Sequence, residues 1–386
     1  MIPLKIITLN VGNSLVLGGL LSIIRMENPD IIFLQEITVT SGQLKLYVAK
    51  YGYNAEANTD LLDITRLGTG MVWRHDVPIS DVTSVVDCRA QLAKLGSYSL
   101  INLYAPSGGN NKTSRRTFFG QEIFRLVRGT SSASYPLIGG DFNCVLSSSD
   151  TERNFKEKTC PALKDLISGF NYSDAFRILK PNISEYTFHR KNSAASRLDR
   201  FYLPQHCVPL LQSVSHHASL SDHHYVVMNI ILPGLETILL PPKPPPLYWK
   251  LNTSILKDED FLENFERFYK KLQTEISQFH DIANWWDLLA KPAIREFCMD
   301  VSERLSFVRK NTKRFLFSYL TLVIRKGNWN EVARVSEKIK KLLYKESMGF
   351  VVRSRHKENL EAEKSSFFFM NHENKKNSKC SLNELK

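Results

Sequence analysis

Residues 239–246 read Leu-Leu-Pro-Pro-Lys-Pro-Pro-Pro, five prolines in six positions. Each proline lacks an amide donor and holds φ at about −65°, so this stretch enters neither a helix nor a central strand and reads as a stiff extended spacer. The chain is thereby cut into parts with different patterns. Residues 1–236 form one expected domain and 237–250 a Pro-rich linker. Residues 251–370 form an expected basic helical region, and the polar tail 371–386 is expected to be disordered.

Before the spacer, short runs rich in Ile, Val, Leu, Phe and Tyr recur at Lys5–Leu9, Ile31–Gln35, Gly70–Trp73, Ser97–Tyr104, Pro136–Gly139, Arg197–Leu203 and Tyr225–Leu232. Their composition and length predict strands. Gly18–Glu27, Ser114–Arg128 and Pro161–Ser168 place apolar residues at helical spacing. Strands interleaved with helices predict an α/β sandwich of two packed sheets with outer helices. After the spacer the period lengthens. Glu259–Phe279 lines Phe261, Leu262, Phe265, Phe268, Tyr269 and Leu272 on one stripe, and Trp285–Lys326 and Val332–Leu343 behave similarly.

The formal charge of +12 is concentrated beyond the first domain. Residues 1–236 hold 23 Lys and Arg against 20 Asp and Glu, whereas 237–386 hold 28 against 19. A basic appendage suits an anionic partner such as DNA, with RNA a further partner for the helical region. The six cysteines (Cys88, Cys144, Cys160, Cys207, Cys298, Cys380) show no close pairing and no metal-finger spacing, which fits a reducing compartment. No signal peptide and no run of about 20 apolar residues is present, so no membrane partner is expected. The protein reads as soluble and intracellular, with the nucleus as the expected place for a DNA-directed chain.

Several strand runs end in polar residues, and these carry the chemistry. Glu36 follows Ile31–Gln35 and is placed to hold Mg²⁺, with Mn²⁺ as the alternative, because such ions want oxygen ligands. Asn10 ends the first run. In Gly140-Asp141-Phe142-Asn143, an extended backbone would send Asp141 and Asn143 to one side and Phe142 inward. An acid beside an amide can align a water and hold a phosphate oxygen. Asp199 lies within a strand pattern, where a charge needs a partner. His223 is the candidate, since a carboxylate raises imidazole basicity and fixes its tautomer. Asp222 is a second candidate cation ligand, and Tyr104 a candidate contact to a phosphate oxygen. His216, His217 and His224 are read as surface or structural residues. Asp141 and the His223–Asp199 pair are both open as general base.

Taken in order, Thr8-Leu9-Asn10, Leu34-Gln35-Glu36, Asn102-Leu103-Tyr104-Ala105-Pro106, Gly140-Asp141-Phe142-Asn143, Ser196-Arg197-Leu198-Asp199 and Ser221-Asp222-His223 resemble the endonuclease/exonuclease/phosphatase superfamily over residues 3–232. Leu103-Tyr104-Ala105-Pro106, Tyr186-Thr187-Phe188 and Ser196-Arg197-Leu198-Asp199 are most similar to the apurinic-like endonucleases of LINE-type non-LTR retrotransposons. Tyr248-Trp249-Lys250-Leu251-Asn252, Val352-Arg353-Ser354-Arg355 and Glu363-Lys364-Ser365-Ser366-Phe367-Phe368 resemble the helical linker that leads from that endonuclease towards a reverse transcriptase. The resemblance implies a four-layered α/β sandwich that requires Mg²⁺ and nicks DNA. It implies Glu36 as main metal ligand and Asn10, Asp141 and Asn143 as positioning groups for nucleophile and phosphate. Tyr104 would support the phosphate, His223 would be oriented by Asp199, and Thr187 and Ser221 would be auxiliary. Gly12 stands where repair-type relatives carry an acid, which speaks against a repair role.

Substrate choice is expected in loops around the site. Residues 189–195 carry Arg190 and Lys191, and a second basic group, Lys112, Arg115 and Arg116, starts a helix; both are candidate DNA contacts, since phosphates supply most non-specific affinity. Two other readings compete. One is a different phosphodiesterase or phosphatase of the same superfamily, acting on inositol phosphates, sphingomyelin or poly(A). The other is a truncated, non-catalytic nucleic-acid-binding remnant.

Overall fold

All seven predicted strand runs are strands in the computed structural model of the chain. It describes residues 3–12, 16–49, 51–60, 67–108, 111–130, 135–152, 159–235, 251, 255–256 and 258–354. The Pro-rich stretch, the tail 371–386 and the linker-like block 363–368 lie outside the described residues.

The first sheet has the order β11-β12-β1-β2-β4-β3, formed by Leu211–His217, Tyr225–Ile230, Leu4–Asn10, Ile31–Ile37, Gly68–Arg74 and Tyr53–Asn58. The second has the order β5-β6-β7-β8-β10-β9, formed by Ile79–Val86, Ala90–Leu95, Tyr98–Tyr104, Leu137–Asp141, Asp199–Pro204 and Tyr172–Asp174. Only β1–β2 and β7–β8 run parallel among these pairs. A parallel pair needs a crossover, and each of these two crossovers carries helix from an outer layer.

Alternation along the strands sorts side chains into layers. Ile6, Phe33 and Met71 of the first sheet meet Leu100, Leu137 and Phe201 of the second in the interior. The outer face of the first sheet packs Ile7, Ile32 and Leu34 on α1 (Val16–Glu27) and α2 (Ser41–Ala49). The outer face of the second packs Ile101, Leu103 and Ile138 on Phe118, Phe119 and Ile123, which form a π-type turn between α3 (Lys112–Thr117) and α4 (Phe124–Arg128), and on α5 (Pro161–Gly169). The result is four layers. At about 1.5–3 kcal/mol for each large aliphatic or aromatic side chain buried, these faces supply most of the driving force.

Several elements carry no predicted signal. Strand β5 exposes Ser80, Asp81, Thr83 and Ser84, and β11 exposes Gln212 and Ser213; both are sheet edges with one wet face. The short helix α6 (Ala175–Leu179) follows the side-chain cap of Asp174, which accepts from the amides of Phe176 and Arg177.

By packing, the described residues up to 235 form one compact unit together with those from Leu316 onward, and those from 251 to 315 form a second. Composition and packing therefore divide the chain differently. In the second unit, α7 (Glu259–Gln273) buries Phe261 and Leu272 against Trp285 of the short α8 (Ile282–Trp285) and Cys298 and Val301 of α9 (Lys291–Arg325). Leu262 departs from its predicted stripe. It is 48% exposed, because the line through residues 261, 265, 268 and 272 turns position 262 away. Beyond Gly327, whose φ of 65° ends α9, the final helix α10 spans Trp329–Ser354. No helix among the described residues is long and apolar enough to cross a membrane.

Candidate active site

Strand register builds one wall of a cleft. On three adjacent strands Tyr104 pairs with Asp141, and Asp141 pairs with Asp199, so all three sit on a single rung. Gly140 makes this rung possible. Its φ is 142°, and a Cβ there would lie 2.0 Å from the Leu103 carbonyl oxygen.

The facing wall comes from the first sheet. Asn10 ends β1 level with Gln35 of β2. Glu36 is then the extra residue of a β-bulge, between the pairs Gln35–Thr69 and Ile37–Gly68, with φ at 60°. A bulge re-aims a side chain out of the normal alternation, at a strain of order 1–3 kcal/mol for a non-glycine residue in this region. Gln35 points into the core instead, where its Nε2 donates to Asn102 Oδ1 at 2.8 Å.

The two walls are joined by hydrogen bonds. Tyr104 OH donates to Glu36 Oε1 at 3.1 Å. Asn10 Nδ2 donates to Glu36 Oε1 and to Asp141 Oδ2, each at 2.9 Å. Asn143 donates its backbone amide to Asp141 Oδ1 at 2.9 Å and its Nδ2 to Asp141 Oδ2 at 3.1 Å. It reaches Asp141 by a left-handed turn, φ 48°, rather than by continued extended backbone. Phe142 does turn inward, stacked on Phe119 at 6.0 Å. On the far side of Asp141, the Asp199 carboxylate meets His223 Nδ1 at 2.9 Å.

Electrostatics follow from burial. Burial pushes the Asp141 carboxyl up, and the adjacent Asp199 charge adds to this; His223 and the donors Asn143 and Asn10 oppose it, leaving a pKa of about 6. Burial alone would lower His223, but Asp199, through charge and hydrogen bond, and Asp141 raise it to about 10. At neutral pH the imidazole is therefore a cationic donor rather than a vacant base.

Auxiliary residues hold this frame. Thr187 Oγ1 accepts from the amides of Leu198 and Asp199 at 2.9 and 3.0 Å and fixes the start of β10. Ser221 Oγ donates to the Asn10 carbonyl at 2.8 Å. Gly12, with φ 51°, leaves room for that contact: a Cβ there would lie 3.1 Å from Ser221 Cβ. Arg197 is buried and bridges Asp150 and Asp174, bracing the strand that carries Asp199. His216 and His224 are buried rather than on the surface, held neutral chiefly by burial.

Some predicted contacts lie elsewhere. Arg115, a candidate DNA contact, is withdrawn from the surface. Its guanidinium is buried and donates to the carbonyls of Pro106, Asn143 and Gly108, at 3.1, 2.6 and 2.7 Å, so it braces the loop beside Asn143. Arg116 is exposed on the next helix position, and Lys191 is exposed on its loop. Arg190 pairs with Asp222 at 3.0 Å. A cation absent from the sequence reading is Arg89. Its guanidinium lies 4.5 Å from the centre of the Tyr104 ring, and its Nη1 is buried without a hydrogen-bond partner among the described residues. A lone arginine in a hairpin turn leaves no periodic or motif signal.

A divalent cation fits this donor set. Ligand atoms of Asp141, Asp199 and His223 lie within 4.8 Å of one another. While His223 is protonated it cannot ligate, which leaves the hard oxygens of Asp141 and Asp199, with Glu36 one hydrogen-bonded step away through Asn10. Asp199 Oδ1 is buried with no hydrogen-bond partner among the described residues, a situation that costs on the order of 1–3 kcal/mol until the oxygen is met.

Comparison with known proteins agrees with the geometry. The model of the Endonuclease/Exonuclease/phosphatase family matches residues 7–223. The chain is 27% identical over 321 residues to the transposon TX1 uncharacterized 149 kDa protein of Xenopus laevis, covering 78% of this chain and 23% of that protein. It thus spans about a quarter of that relative's length. An AP endonuclease from Archaeoglobus fulgidus superimposes with a TM-score of 0.52 at 19% identity, covering 59% of this chain and all of that one. The 3′ phosphatase NExo from Neisseria, bound to product DNA hairpin, superimposes with a TM-score of 0.51 at 17% identity, covering 59% and 100%.

Proposed function

Because this chain belongs to the endonuclease/exonuclease/phosphatase family, we propose that its cleft is that of a DNA-nicking endonuclease of retrotransposon type, working with bound Mg²⁺. The observation that carries this reading is the unbroken contact path Tyr104–Glu36–Asn10–Asp141, continued across one sheet rung to Asp199 and His223. The likeness to a transposon protein over 321 residues supports the lineage.

In this reading a water attacks the scissile phosphorus in line with the departing 3′ oxygen, whose bond to phosphorus breaks and which takes a proton from solvent to become the 3′-hydroxyl. Asp141, with a pKa of about 6, is largely ionised at neutral pH and takes the water proton. Asn10 and Asn143 hold Asp141 in the orientation that needs. His223, cationic up to about pH 10 and steered by Asp199, donates to a non-bridging phosphoryl oxygen. Glu36, Asp141 and Asp199 would hold the cation, which polarises the phosphoryl oxygen and offsets the leaving charge, an effect worth several kcal/mol. Arg190, Lys191 and Arg116 supply phosphate contacts beside the cleft.

The test is a plasmid-nicking assay with the full chain in Mg²⁺. Asp141→Ala and His223→Ala should each lose about 10²–10⁴ in rate, the usual scale for general acid–base groups. Nicking by either variant at the parent rate would refute the assignment. Preference for poly(A) or inositol phosphates over plasmid would move the substrate to another branch of the family.

A further inference from the structure

The loop that carries His223 is anchored by a helix from far along the chain. Loop residues 218–223 are tied internally by serines: Ser219 Oγ donates to the His223 carbonyl at 2.6 Å, and Ser221 and His223 donate their amides to Ser219 Oγ and Ser221 Oγ at 3.0 Å each. Ser221 Oγ then reaches the Asn10 carbonyl. The loop's first residue, Ala218, is fully buried, and its amide donates to Thr321 Oγ1 of α9 at 2.9 Å. Beneath the loop, Phe317 closes a small cavity lined by Leu9, Val11, Leu220 and Ser221. Leu9 and Val11 flank Asn10, so one α9 side chain lines the same cavity as the neighbours of Asn10 and the loop.

The remaining contacts make this a built interface within one compact unit. Phe317, Leu320, Val323 and Ile324 of α9, with Val335 and Ile339 of α10, bury Met26 and Ala218. Arg325 pairs with Glu185, and Arg25 of α1 pairs with Glu346 at 3.2 Å.

We propose that Thr321 and Phe317 are positioning residues of the active site: α9 sets the loop that presents Ser221 and His223, so the segment after the Pro-rich stretch completes the catalytic unit. Its kinetic consequence rests on the nicking reaction proposed above. The placement of the loop does not.

Thr321→Val keeps the packing volume and removes the acceptor for the Ala218 amide; Thr321→Ser restores it. In the full chain, Thr321→Val should lower kcat for nicking by about 10–100-fold with KM unchanged, as small misplacements of reacting groups do, and Thr321→Ser should match the parent. Hydrogen exchange should speed up at the amides of Ala218, Ser221 and His223, with the sheet amides unchanged. Phe317→Ala should act in the same direction; should it fail to fold, the Thr321 pair decides. Parent kcat together with parent exchange in Thr321→Val would overturn the proposal. A parent chain that nicks nothing would instead sink the assigned reaction, and the exchange measurement alone would then judge the loop. A fall in kcat accompanied by uniform loss of protection would also overturn it, by reducing Thr321 to a stability role.

Discussion

The Glu36 side of the cleft and the Asp199–His223 side hold charge in different ways. Glu36 is half-buried at a bulge, and one of its oxygens is met by two neutral donors, Asn10 and Tyr104. Asp141, Asp199 and His223 are buried, with one imidazole facing two carboxylates. A half-open carboxylate keeps oxygen capacity for a hydrated cation, whereas a buried ion pair is costly to build and tightly oriented once built. In the proposed mechanism the difference separates Glu36, which serves the cation alone, from Asp141 and Asp199, which also handle protons.

Substitutions can break this division. The largest effect is expected from Asp141→Asn and His223→Gln: kcat should fall by about 10²–10⁴ and stay low at any Mg²⁺ concentration. Glu36→Gln should instead weaken metal affinity by at least about 10–100-fold, the cost of losing an outer partner, so raising Mg²⁺ in the nicking assay should recover rate. Rescue of Asp141→Asn by Mg²⁺, or its failure for Glu36→Gln, would erase the contrast.

The pH profile sharpens it. A base that must lose its proton gives a rising limb, and an acid that must keep its proton a falling limb; without a cation these lie near 6 and 10, and a cation held by Asp141 and Asp199 draws both to lower pH. Asp199→Asn should draw the falling limb to lower pH, because Asp199 is the main group raising His223. Stability carries the same sign. His223 gains its proton more readily when folded, so its contribution is complete below the ordinary histidine pKa of about 6.5 and is lost as pH rises towards 10. A profile in Asp199→Asn identical to the parent's would rule out the pair as its origin.

The smallest effects separate bracing cations from contact cations. Arg115→Met should lower stability by about 1–3 kcal/mol through three carbonyls left without their donor, with no change in the salt dependence of DNA binding. Arg190→Ala and Lys191→Ala should leave the melting temperature alone. Each should reduce the slope of log affinity against log salt by about 1 for every phosphate that is no longer neutralised.

Most of the sandwich is legible in the sequence because buried strands must be apolar: Ile31–Leu34 and Leu100–Leu103 announce themselves. Edge strands such as β5 and β11 are not legible, since one wet face dilutes the signal with Ser, Thr, Gln and Asp. Within the cleft, residue types at strand ends point to Glu36, Asp141 and His223. Nothing local shows that Glu36 sits on a bulge or that Asn143 needs a left-handed turn. The bracing role of Arg115 is hidden for a related reason. Its neighbours are exposed, and only the folding of residues 106–108 over its guanidinium buries it. Arg89 is invisible for want of any pattern, because its place over Tyr104 exists only when the β5–β6 hairpin meets β7.

The single rung that holds Tyr104, Asp141 and Asp199 has a kinetic corollary. Sliding β10 by one residue would bring Arg200 opposite Asp141 and send Asp199 to the other face of the sheet. A slipped β10 would keep no catalytic rung, so on dilution from denaturant catalytic competence should emerge in one step, together with the docking of β10 in register.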